Sequence, residues 1–456
     1  MSSNTSHKIN ETTPVVLCLS GGGFRATFYH LGVVRLLATT GWLKKVTHVF
    51  SVSGGSILAA HMALNWESYT SSDDNEFQRV SDELIRFGQS DVRGWILRRW
   101  IPFLLGRTRL FQRSLSILFR NAKLDQLPEV PRFHFLATSL TSGQLCAFDK
   151  KQWIAISAKG GGPNFAGVKS NYLDISRVVT ASAAFPPMFP PVRIRATGLT
   201  QGEAHFNATH YLTDGGIFDN LGLAEILHII DNIGLDPQLL SQPIMKAGFT
   251  GLGGSPEVPS CIIVSDASAS FNEAKKGSFS SIVSRTSRAT DILMARLAER
   301  DMDILSHEMR SRNHGDRQLI HFSIKHTVPP FEKKSGSQYE TQSVAIQNGI
   351  RYVRTDLDRF DPKLIWYLMR HGYDVAAHGI QHLDKDAEIS ALIPPASLPP
   401  NIVVEDEEQL ERFMESQKYR IRKDNLCGLL SAPYGLFVAL AMVILTIIGV
   451  WSVFQH

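Results

Sequence analysis

The sequence predicts an α/β domain built on a mostly parallel sheet. Short apolar runs typical of buried strands alternate with stretches of helical periodicity, beginning with a strand at 14–20, a helix at 24–42, a strand at 46–52 and a helix at 56–66. This alternation is typical of parallel sheets, whose strands are joined by crossover helices. Apolar residues make up 43% of the 456 residues and charged residues 20%, so a large core can be buried.

The remaining elements follow from the same patterns. Predicted strands are short apolar or β-branched runs, and predicted helices carry apolar residues on one face. Gly41 is a stop signal for the first helix. The further predicted strands are 133–140, 144–149, 210–214, 261–266 and 319–324, and the further predicted helices are 174–184, 222–233, 279–311 and 361–376.

We expect one large domain at 13–393, after a disordered N-terminus at 1–12. The N-terminus is polar and lacks an apolar stretch, so no signal peptide is expected. A Pro-rich segment at 394–401 and a charged helical stretch at 405–425 follow the domain. Together they form a predicted linker over 394–425.

The C-terminal segment 426–456 is predicted to be a membrane anchor. No acidic or basic side chain occurs from Leu426 to Gln455, and Tyr434–Phe454 is long enough for a membrane-spanning helix, which takes about 20 residues. A buried core helix is the alternative, but it would show at least one polar face. Basic residues at 418–423 precede the span, so the positive-inside rule predicts a single-pass protein with its catalytic domain on the cytoplasmic side.

Cysteines and net charge restrict the function classes. The cysteines at positions 18, 146, 261 and 427 are far apart, so they predict neither a disulfide framework nor a metal cluster. Cysteines in apolar runs suit a reducing compartment. The net charge of +4 says little by itself about partners.

The stretch 93–123 combines basic and aromatic residues and contains no acidic residue. Such a mixture suits a surface that contacts anionic lipid headgroups. A solvated helix pair with an ordinary buried face is the alternative, and the stretch alone does not decide between them. No nucleic-acid-binding motif accompanies the charge, so nucleic acid is not an expected partner.

Three glycine-rich segments are candidates for a catalytic site. The first, LSGGGFRA at 19–26, follows a strand and opens a helix. Its backbone N–H groups and the helix dipole favour an oxyanion or a phosphate. The segment matches neither the P-loop pattern nor the dinucleotide fingerprint, and on its own it also fits a structural turn.

The second segment is VSGG at 52–55, between a predicted strand and a predicted helix. Ser53 at such a turn has its hydroxyl pushed out of the sheet, at the helix N-terminus. Gly55 lets the turn close without a Cβ clash. A purely structural Ser-Gly-Gly turn is the alternative.

The third segment is YLTDGGIFDNLGL at 211–223. Asp214 ends a strand and is followed by Gly215 and Gly216. An aspartate in such a turn often accepts a hydrogen bond from its own backbone, which is the structural alternative.

A serine hydroxyl is a weak nucleophile unless a base accepts its proton. A Ser-His-Asp triad would need a histidine in a comparable loop, and none of the 16 histidines lies in one. A dyad in which Asp214 contacts Ser53 directly is the alternative. It requires a pocket that keeps the carboxylate ionised and within reach.

The order of these three segments resembles the patatin-like phospholipase family. TASAAFPPMFPPV at 180–192 looks like the Pro-rich segment before the family's aspartate, and the stretch 352–373 looks like the end of the domain in bacterial-type members. The resemblance covers residues 13–380. It implies a three-layer α/β/α fold with a mostly parallel central sheet.

The resemblance also implies a reaction. Ser53 would attack an ester carbonyl, with Asp214 as the general base. The N–H groups of Gly21, Gly22 and Gly23 would hold the oxyanion. No metal or other cofactor is implied.

Further positions are implied to support this site. Arg25 matches the family's arginine in the glycine loop, where it either anchors the loop or contacts a lipid phosphate. Gly55, Gly215 and Gly216 would allow the tight turns around the serine and the aspartate.

Two positions depart from the family pattern. Ser20 stands where plant members often have Asp, and a small residue should serve there. Ser51 stands at the first glycine of Gly-x-Ser-x-Gly, which permits close packing of helix on strand. Serine adds only a hydroxymethyl group, so we expect the substitution to be tolerated.

The leading hypothesis is a serine-dependent lipid acyl hydrolase of the phospholipase A or lysophospholipase type that acts at a membrane surface. Its expected partners are a phospholipid or another fatty-acyl ester and the membrane. A neutral-lipid esterase with the same dyad is the near alternative, and a non-catalytic lipid-binding scaffold is the rival from another class. A nucleotide-binding protein would leave the serine and aspartate segments unexplained.

Overall fold

The computed structural model describes most of the chain. The described residues are 15–92, 94, 96, 106–156, 168–186, 188–195, 209–227, 261–268, 270, 282–311, 318–333, 335–384, 387, 389–390, 392 and 407–419. The strands are β1 (Val15–Leu19), β2 (Val46–Val52), β3 (Arg132–Ser139), β4 (Leu145–Phe148), β5 (Gln152–Ile156), β6 (Val168–Lys169), β7 (Val192–Arg195), β8 (Thr209–Asp214), β9 (Cys261–Asp266), β10 (Gln318–Ser323), β11 (Phe331–Glu332) and β12 (Gln338–Tyr339).

Helices connect and cover these strands. The α-helices are α1 (Gly23–Thr39), α2 (Gly54–Leu64), α3 (Trp66–Tyr69), α4 (Asp74–Gln89), α5 (Arg107–Leu118), α6 (Ile175–Ser182), α7 (Ile282–Ser311), α8 (Val344–Ile350), α9 (Pro362–Leu383) and α10 (Glu407–Tyr419). Short 3₁₀ turns occur at Trp42–Lys45, Leu124–Gln126 and Gly215–Ile217.

A ten-stranded mixed sheet forms the centre of the domain, in the order β10-β9-β1-β2-β3-β4-β5-β6, with β8 paired to β3 and β7 paired to β8. Strands β10, β9, β1, β2 and β3 are parallel neighbours. The pairs formed by β4 to β8 are antiparallel. The predicted α/β sheet is thus confirmed, and its antiparallel half was not predicted.

Helices cover both faces of the sheet, which confirms the three-layer α/β/α arrangement. Val15 and Leu17 of β1 belong to the core cluster that includes residues of α1, α2 and α9. Val16 and Cys18 of the same strand belong to a second cluster, with Leu305 of α7. Alternate residues of a strand point to opposite faces, so a strand covered on both sides is apolar throughout.

β3 is paired along one edge with two different strands. β2 runs parallel to its first part and ends with Val52 opposite Leu136. β8 runs antiparallel to its last part and ends with Asp214 opposite Ala137. Strand β4 pairs with the other edge at the same level, so the C-terminal ends of β2 and β8 meet on one edge of β3.

Helix α1 packs against α9 at backbone contact distance. A Cβ atom on Gly32 would lie 1.9 Å from the carbonyl oxygen of Met369, and one on Gly372 would lie 2.0 Å from the carbonyl oxygen of Tyr29. Only glycine fits at these two positions. This contact fixes α1, whose first turn carries the glycine loop.

Several elements differ from the prediction. Helices α4 and α8 and strands β5, β6 and β7 were not predicted. The predicted helix at 222–233 is described as helical only at 224–227, and the rest of that range lies outside the described residues.

The basic-aromatic stretch 93–123 is described mainly from residue 106 onward. Within it α5 buries Leu110 and Phe111 and exposes Arg109 and Arg113. This part therefore has an ordinary buried face, as the alternative of a solvated helix pair predicted. It also presents a basic face, so lipid contact stays a prediction.

The C-terminal helix α10 lies inside the charged stretch predicted at 405–425. It packs on the domain through Leu410 and Met414, which are buried, so packed residues occur beyond the predicted domain end at 393. The N-terminus 1–12 and the predicted anchor 426–456 lie outside the described residues. Within the described part of the chain, no helix is long and apolar enough to cross a membrane.

Candidate active site

Ser53 lies at the sharp turn between β2 and α2. Its backbone angles are φ 52° and ψ −116°, a combination that non-glycine residues rarely adopt and that stores strain. A Cβ on Gly54 would lie 2.1 Å from the carbonyl oxygen of Gly23. A Cβ on Gly55 would lie 2.4 Å from that of Leu19. The two glycines therefore let α2 begin directly after the serine.

A chain of buried hydroxyl groups holds this turn. The Ser53 N–H donates to Ser182 Oγ at 3.0 Å, and Ser182 Oγ lies 2.9 Å from Ser56 Oγ. Ser56 donates to Ser51 Oγ at 3.1 Å, and Ser51 donates to the carbonyl oxygen of His134 at 3.0 Å. Because each hydroxyl has one proton, Ser182 must donate to Ser56. Each hydrogen bond in this series of hydroxyl groups is then donated in the direction of β3.

Ser51 is therefore a member of this hydroxyl chain. It is fully buried and has both a donor and an acceptor partner, so its hydroxymethyl group is accommodated in the helix–strand contact. When a buried hydroxyl group has hydrogen-bond partners, those bonds offset the cost of removing it from water. The position that departs from the family motif supports the turn.

Asp214 is at the end of β8 and is 2% exposed. Its Oδ1 accepts a hydrogen bond from the Gly216 N–H at 2.8 Å, and its carboxyl interacts with the Ser53 side chain. Burial raises the pKa of the Asp214 carboxyl to about 7, and the interactions with Ser53 and Gly216 oppose that rise. A carboxylate with such a pKa can take up and return a proton near neutral pH.

Two glycines after Asp214 allow its close packing. A Cβ on Gly215 would lie 2.4 Å from the carbonyl oxygen of Leu136, which pairs with Val52. A Cβ on Gly216 would lie 3.0 Å from Asp214 Oδ1, and its N–H would be pushed away from the carboxylate. Both predicted supporting glycines thus lie where a side chain would displace the aspartate.

Gly21, Gly22 and Gly23 of the glycine loop line a cavity beside Ser53 and Asp214. The Gly21 N–H donates to the carbonyl oxygen of Asn220 at 3.0 Å and is therefore engaged within the fold. The described residues provide no acceptor for the N–H groups of Gly22 and Gly23. Their φ angles of 144° and 58° favour glycine, and both stand at the start of α1, where the helix dipole favours negative charge.

Arg25 anchors the glycine loop. Its Nε donates to the carbonyl oxygen of Ala267 at 3.0 Å, and its Nη1 donates to that of Val353 at 2.7 Å. Burial lowers the pKa of Arg25 to about 10, so the guanidinium stays charged at neutral pH. Of the two roles that the sequence left open, these contacts support anchoring.

A cavity of about 510 Å³ opens beside Ser53 and Asp214. A substrate carbonyl could approach Ser53 from this cavity, because the glycine loop forms part of the cavity wall. Part of its wall is formed by apolar side chains. The apolar residues of the cavity wall are Ala183, Phe185, Met188, Phe189, Met294, Ala295, Val353 and Leu357.

Sequence reasoning missed several residues of the site. Ser182 and Ser56 hold the serine turn, and Asn220 engages Gly21. Ser182 lies in the segment 180–192, but nothing in that sequence pattern indicates a hydrogen bond to the Ser53 turn, which is distant in sequence. Among the described residues, no group of three or more His, Cys, Asp or Glu side chains could hold a metal ion.

The fold and the site define an α/β protein with a strained serine turn beside a buried carboxylate. A model of the patatin-like phospholipase family matches residues 17–227, a range that contains the glycine loop, Ser53 and Asp214. Over these residues the chain matches the patatin-like phospholipase family, and the resemblance predicted from its motifs is confirmed.

Solved structures with a similar fold include human GIVD cytosolic phospholipase A2, at 12% identity and a TM-score of 0.39, with 82% of this chain and 60% of that chain covered. The same human protein in complex with methyl gamma-linolenyl fluorophosphonate matches at 14% identity and a TM-score of 0.41, with 82% and 59% covered. VipD from Legionella pneumophila matches at 15% identity and a TM-score of 0.32, with 82% and 67% covered.

The chain spans about 60% of the length of the human phospholipase that it matches. No curated protein matches the chain.

The hydroxyl chain predicts that Ser51→Gly destabilises the protein. Restoring the family's glycine removes the acceptor of Ser56 and the donor to His134, and it adds backbone freedom to a strand. We expect the free energy of unfolding to fall by about 2–3 kcal/mol. Urea unfolding would measure the change. Ser51→Ala, which removes the hydroxyl alone, should account for the larger part, and a gain in stability for Ser51→Gly would contradict this role.

Proposed function

We propose that this chain is a serine-dependent lipid acyl hydrolase of the phospholipase A or lysophospholipase type. The observation that carries the proposal is the interaction of the Ser53 side chain with the buried Asp214 carboxyl, at a strained turn beside a cavity that is partly apolar. The match to a model of the patatin-like phospholipase family supports a lipid hydrolase in general.

In the proposed first step, Asp214 takes the proton of Ser53 while the serine oxygen attacks the ester carbonyl. Burial supports this role for Asp214, because it raises the pKa and thereby the basicity of the carboxylate. The Gly216 N–H fixes one carboxylate oxygen, which orients the other towards the serine. The strained Ser53 backbone keeps the hydroxyl at the cavity wall.

The attack places a negative charge on the former carbonyl oxygen. We assign its stabilisation to the N–H groups of Gly22 and Gly23, since the Gly21 N–H is engaged with Asn220. One such donor contributes about 3–4 kcal/mol in enzymes from which it was removed. The N-terminus of α1 adds a favourable dipole at the same place.

Collapse of this intermediate releases the alcohol, which takes its proton from Asp214, and leaves an acyl group on Ser53. Water then attacks the acyl-serine and gives a proton to Asp214. The fatty acid leaves as the proton returns to Ser53. These steps need no metal or other cofactor.

The substrate proposed is a phospholipid or another fatty-acyl ester. The cavity supports this class, because apolar residues such as Phe189 and Met294 can contact an acyl chain beside the serine. A neutral-lipid esterase would use the same dyad. A non-catalytic lipid-binding scaffold would need neither the strained serine nor its contact with Asp214.

We further propose that the protein acts at a membrane, to which segment 426–456 anchors it as a single span with the catalytic domain on the cytoplasmic side. The apolar composition of that segment and the basic residues before it support this. The exposed basic face of α5 would add contacts with anionic headgroups.

The dyad predicts selective reaction with a fluorophosphonate probe. The wild-type protein should label on Ser53, because the activated hydroxyl attacks phosphorus as it would attack an ester. Ser53→Ala should abolish labelling, and Asp214→Asn should slow it at least about a hundred-fold, as expected for loss of a general base. Labelling that survives Ser53→Ala would rule out the nucleophile. Absence of both labelling and fatty-acid release in the wild type would favour the scaffold.

The raised pKa of Asp214 predicts the pH dependence of hydrolysis. Only the ionised carboxylate can accept the serine proton, so kcat/KM should rise with pH through about 7 and then level off. Below that pKa the rate should fall about ten-fold for each pH unit. Steady-state rates on a soluble short-chain ester, from pH 5 to 9, would measure the profile. A rate that falls as pH rises through 7 would contradict Asp214 as the base.

The proposed anchor predicts the behaviour of a truncated chain. Deletion of 426–456 removes the apolar span and should move the protein from the membrane pellet to the supernatant without detergent. Fractionation of the full-length and truncated chains in parallel would measure this. A truncated chain that still requires detergent would mean that another surface, with 93–123 as the first candidate, binds membranes independently.

A further inference from the structure

The segment 351–361 connects the cavity with the C-terminal helix. Its residues Tyr352 to Leu357 form one wall of the cavity. It also supports the glycine loop directly, because the Phe24 N–H donates to the carbonyl oxygen of Asp356 at 3.0 Å. A Cβ on Gly23 would lie only 2.6 Å from that same oxygen. A shift of this segment would therefore move the backbone of Gly23.

Arg354 braces the segment from within. Its guanidinium donates to Asp358 Oδ1 at 2.7 Å and lies 4.8 Å from the centre of the Phe360 ring. Phe360 in turn contacts the ring of Phe24, at 5.9 Å between centroids. Arg354 is buried, and a buried guanidinium needs acceptors for its N–H groups.

Helix α10 supplies two further acceptors for Arg354. Nη1 of Arg354 donates to both the carbonyl oxygen and the side-chain oxygen Oε1 of Gln417, each at 3.1 Å. Gln417 is only 2% exposed. A buried polar side chain with this pairing is placed to hold one particular conformation of the arginine.

The same helix is held firmly against the domain. Met414 packs on Gly349 of α8, where an added Cβ would lie 2.9 Å from the Met414 Cε atom. Phe413 contacts the ring of Tyr367 on α9 in an edge-on arrangement, at 6.3 Å. Gln417 thus approaches Arg354 from a fixed support.

We propose that Gln417 is a positioning residue for the oxyanion-binding glycine loop, acting through Arg354 and the segment 351–361. This inference rests on the proposed hydrolase function. It makes helix α10 part of the catalytic unit, although the helix lies beyond the family-matched residues. The helix is also followed directly by the stretch that leads to the proposed anchor, so the anchor attaches to an element that contacts the site.

The test uses the full-length chain with three substitutions. Gln417→Leu removes the side-chain acceptor Oε1 at similar volume and leaves the carbonyl oxygen in place, and Gln417→Glu keeps an acceptor oxygen. Gln338→Leu, the same substitution at an exposed position of β12, is the matched control. Each variant is titrated with the fluorophosphonate probe, so that turnover is expressed per reactive site. Hydrogen exchange of the amide groups in 20–26 is measured on the same samples.

For Gln417→Leu we expect turnover per titrated site to fall about 3- to 10-fold with KM nearly unchanged. This is less than the full loss of a hydrogen bond to a charged group would give, because the Gln417 carbonyl oxygen still accepts from Arg354. The Phe24 amide should exchange faster, because its acceptor segment loosens. Gln417→Glu and Gln338→Leu should both resemble the wild type. A purely structural role would lower the number of titrated sites and leave turnover per site unaltered.

Unchanged exchange at Phe24 in Gln417→Leu would overturn the coupling, and so would a Gln417→Glu variant as impaired as Gln417→Leu. A wild-type chain that neither labels nor turns over would overturn the proposed function instead. The exchange measurement needs no turnover, so the two failures are distinguishable.

Discussion

The site depends on the way in which two strands share one edge of β3. β2 brings Ser53 to a point on that edge, and β8 brings Asp214 to the adjacent point from the opposite direction. The antiparallel half of the sheet reverses the chain into β8 and thereby brings Asp214 to this edge.

That meeting point is buried, and burial sets the chemistry of the carboxylate. An ionised carboxylate without partners in such a place would be strongly disfavoured. Asp214 keeps the hydrogen bond from Gly216 and the interaction with Ser53, and its pKa rises only to about 7. Because the folded-state pKa exceeds the ordinary value near 4, the free energy of unfolding falls as pH rises from about 4 to about 7 and is level above that. The carboxylate proposed as the base thus lowers stability at the pH where it would act.

The parallel strands and their helices were predictable, because each is a local pattern of apolar residues with glycine at its ends. The three site segments were predictable for the same reason, since Ser53, Asp214 and the glycine loop each lie at the end of a strand. The short strands β5 and β7 were not, because their pairing partners, not their own composition, define them. The hydroxyl chain of Ser51, Ser56 and Ser182 joins residues that are distant in sequence, and no spacing rule predicts such a contact.

Ser51 shows why a motif position cannot be judged from its own size alone. In the family pattern a glycine lets the helix approach the strand, and a larger residue would be expected to loosen the turn. Here the approach is kept, because the Ser51 hydroxyl lies between a donor on α2 and an acceptor on β3. The same chain ends at the Ser53 N–H through Ser182, so α6 also contributes to the geometry of the turn. The strained backbone of Ser53 is thus stabilised by hydrogen bonds from three separate elements of the fold, and a change in any of them should alter the position of Ser53.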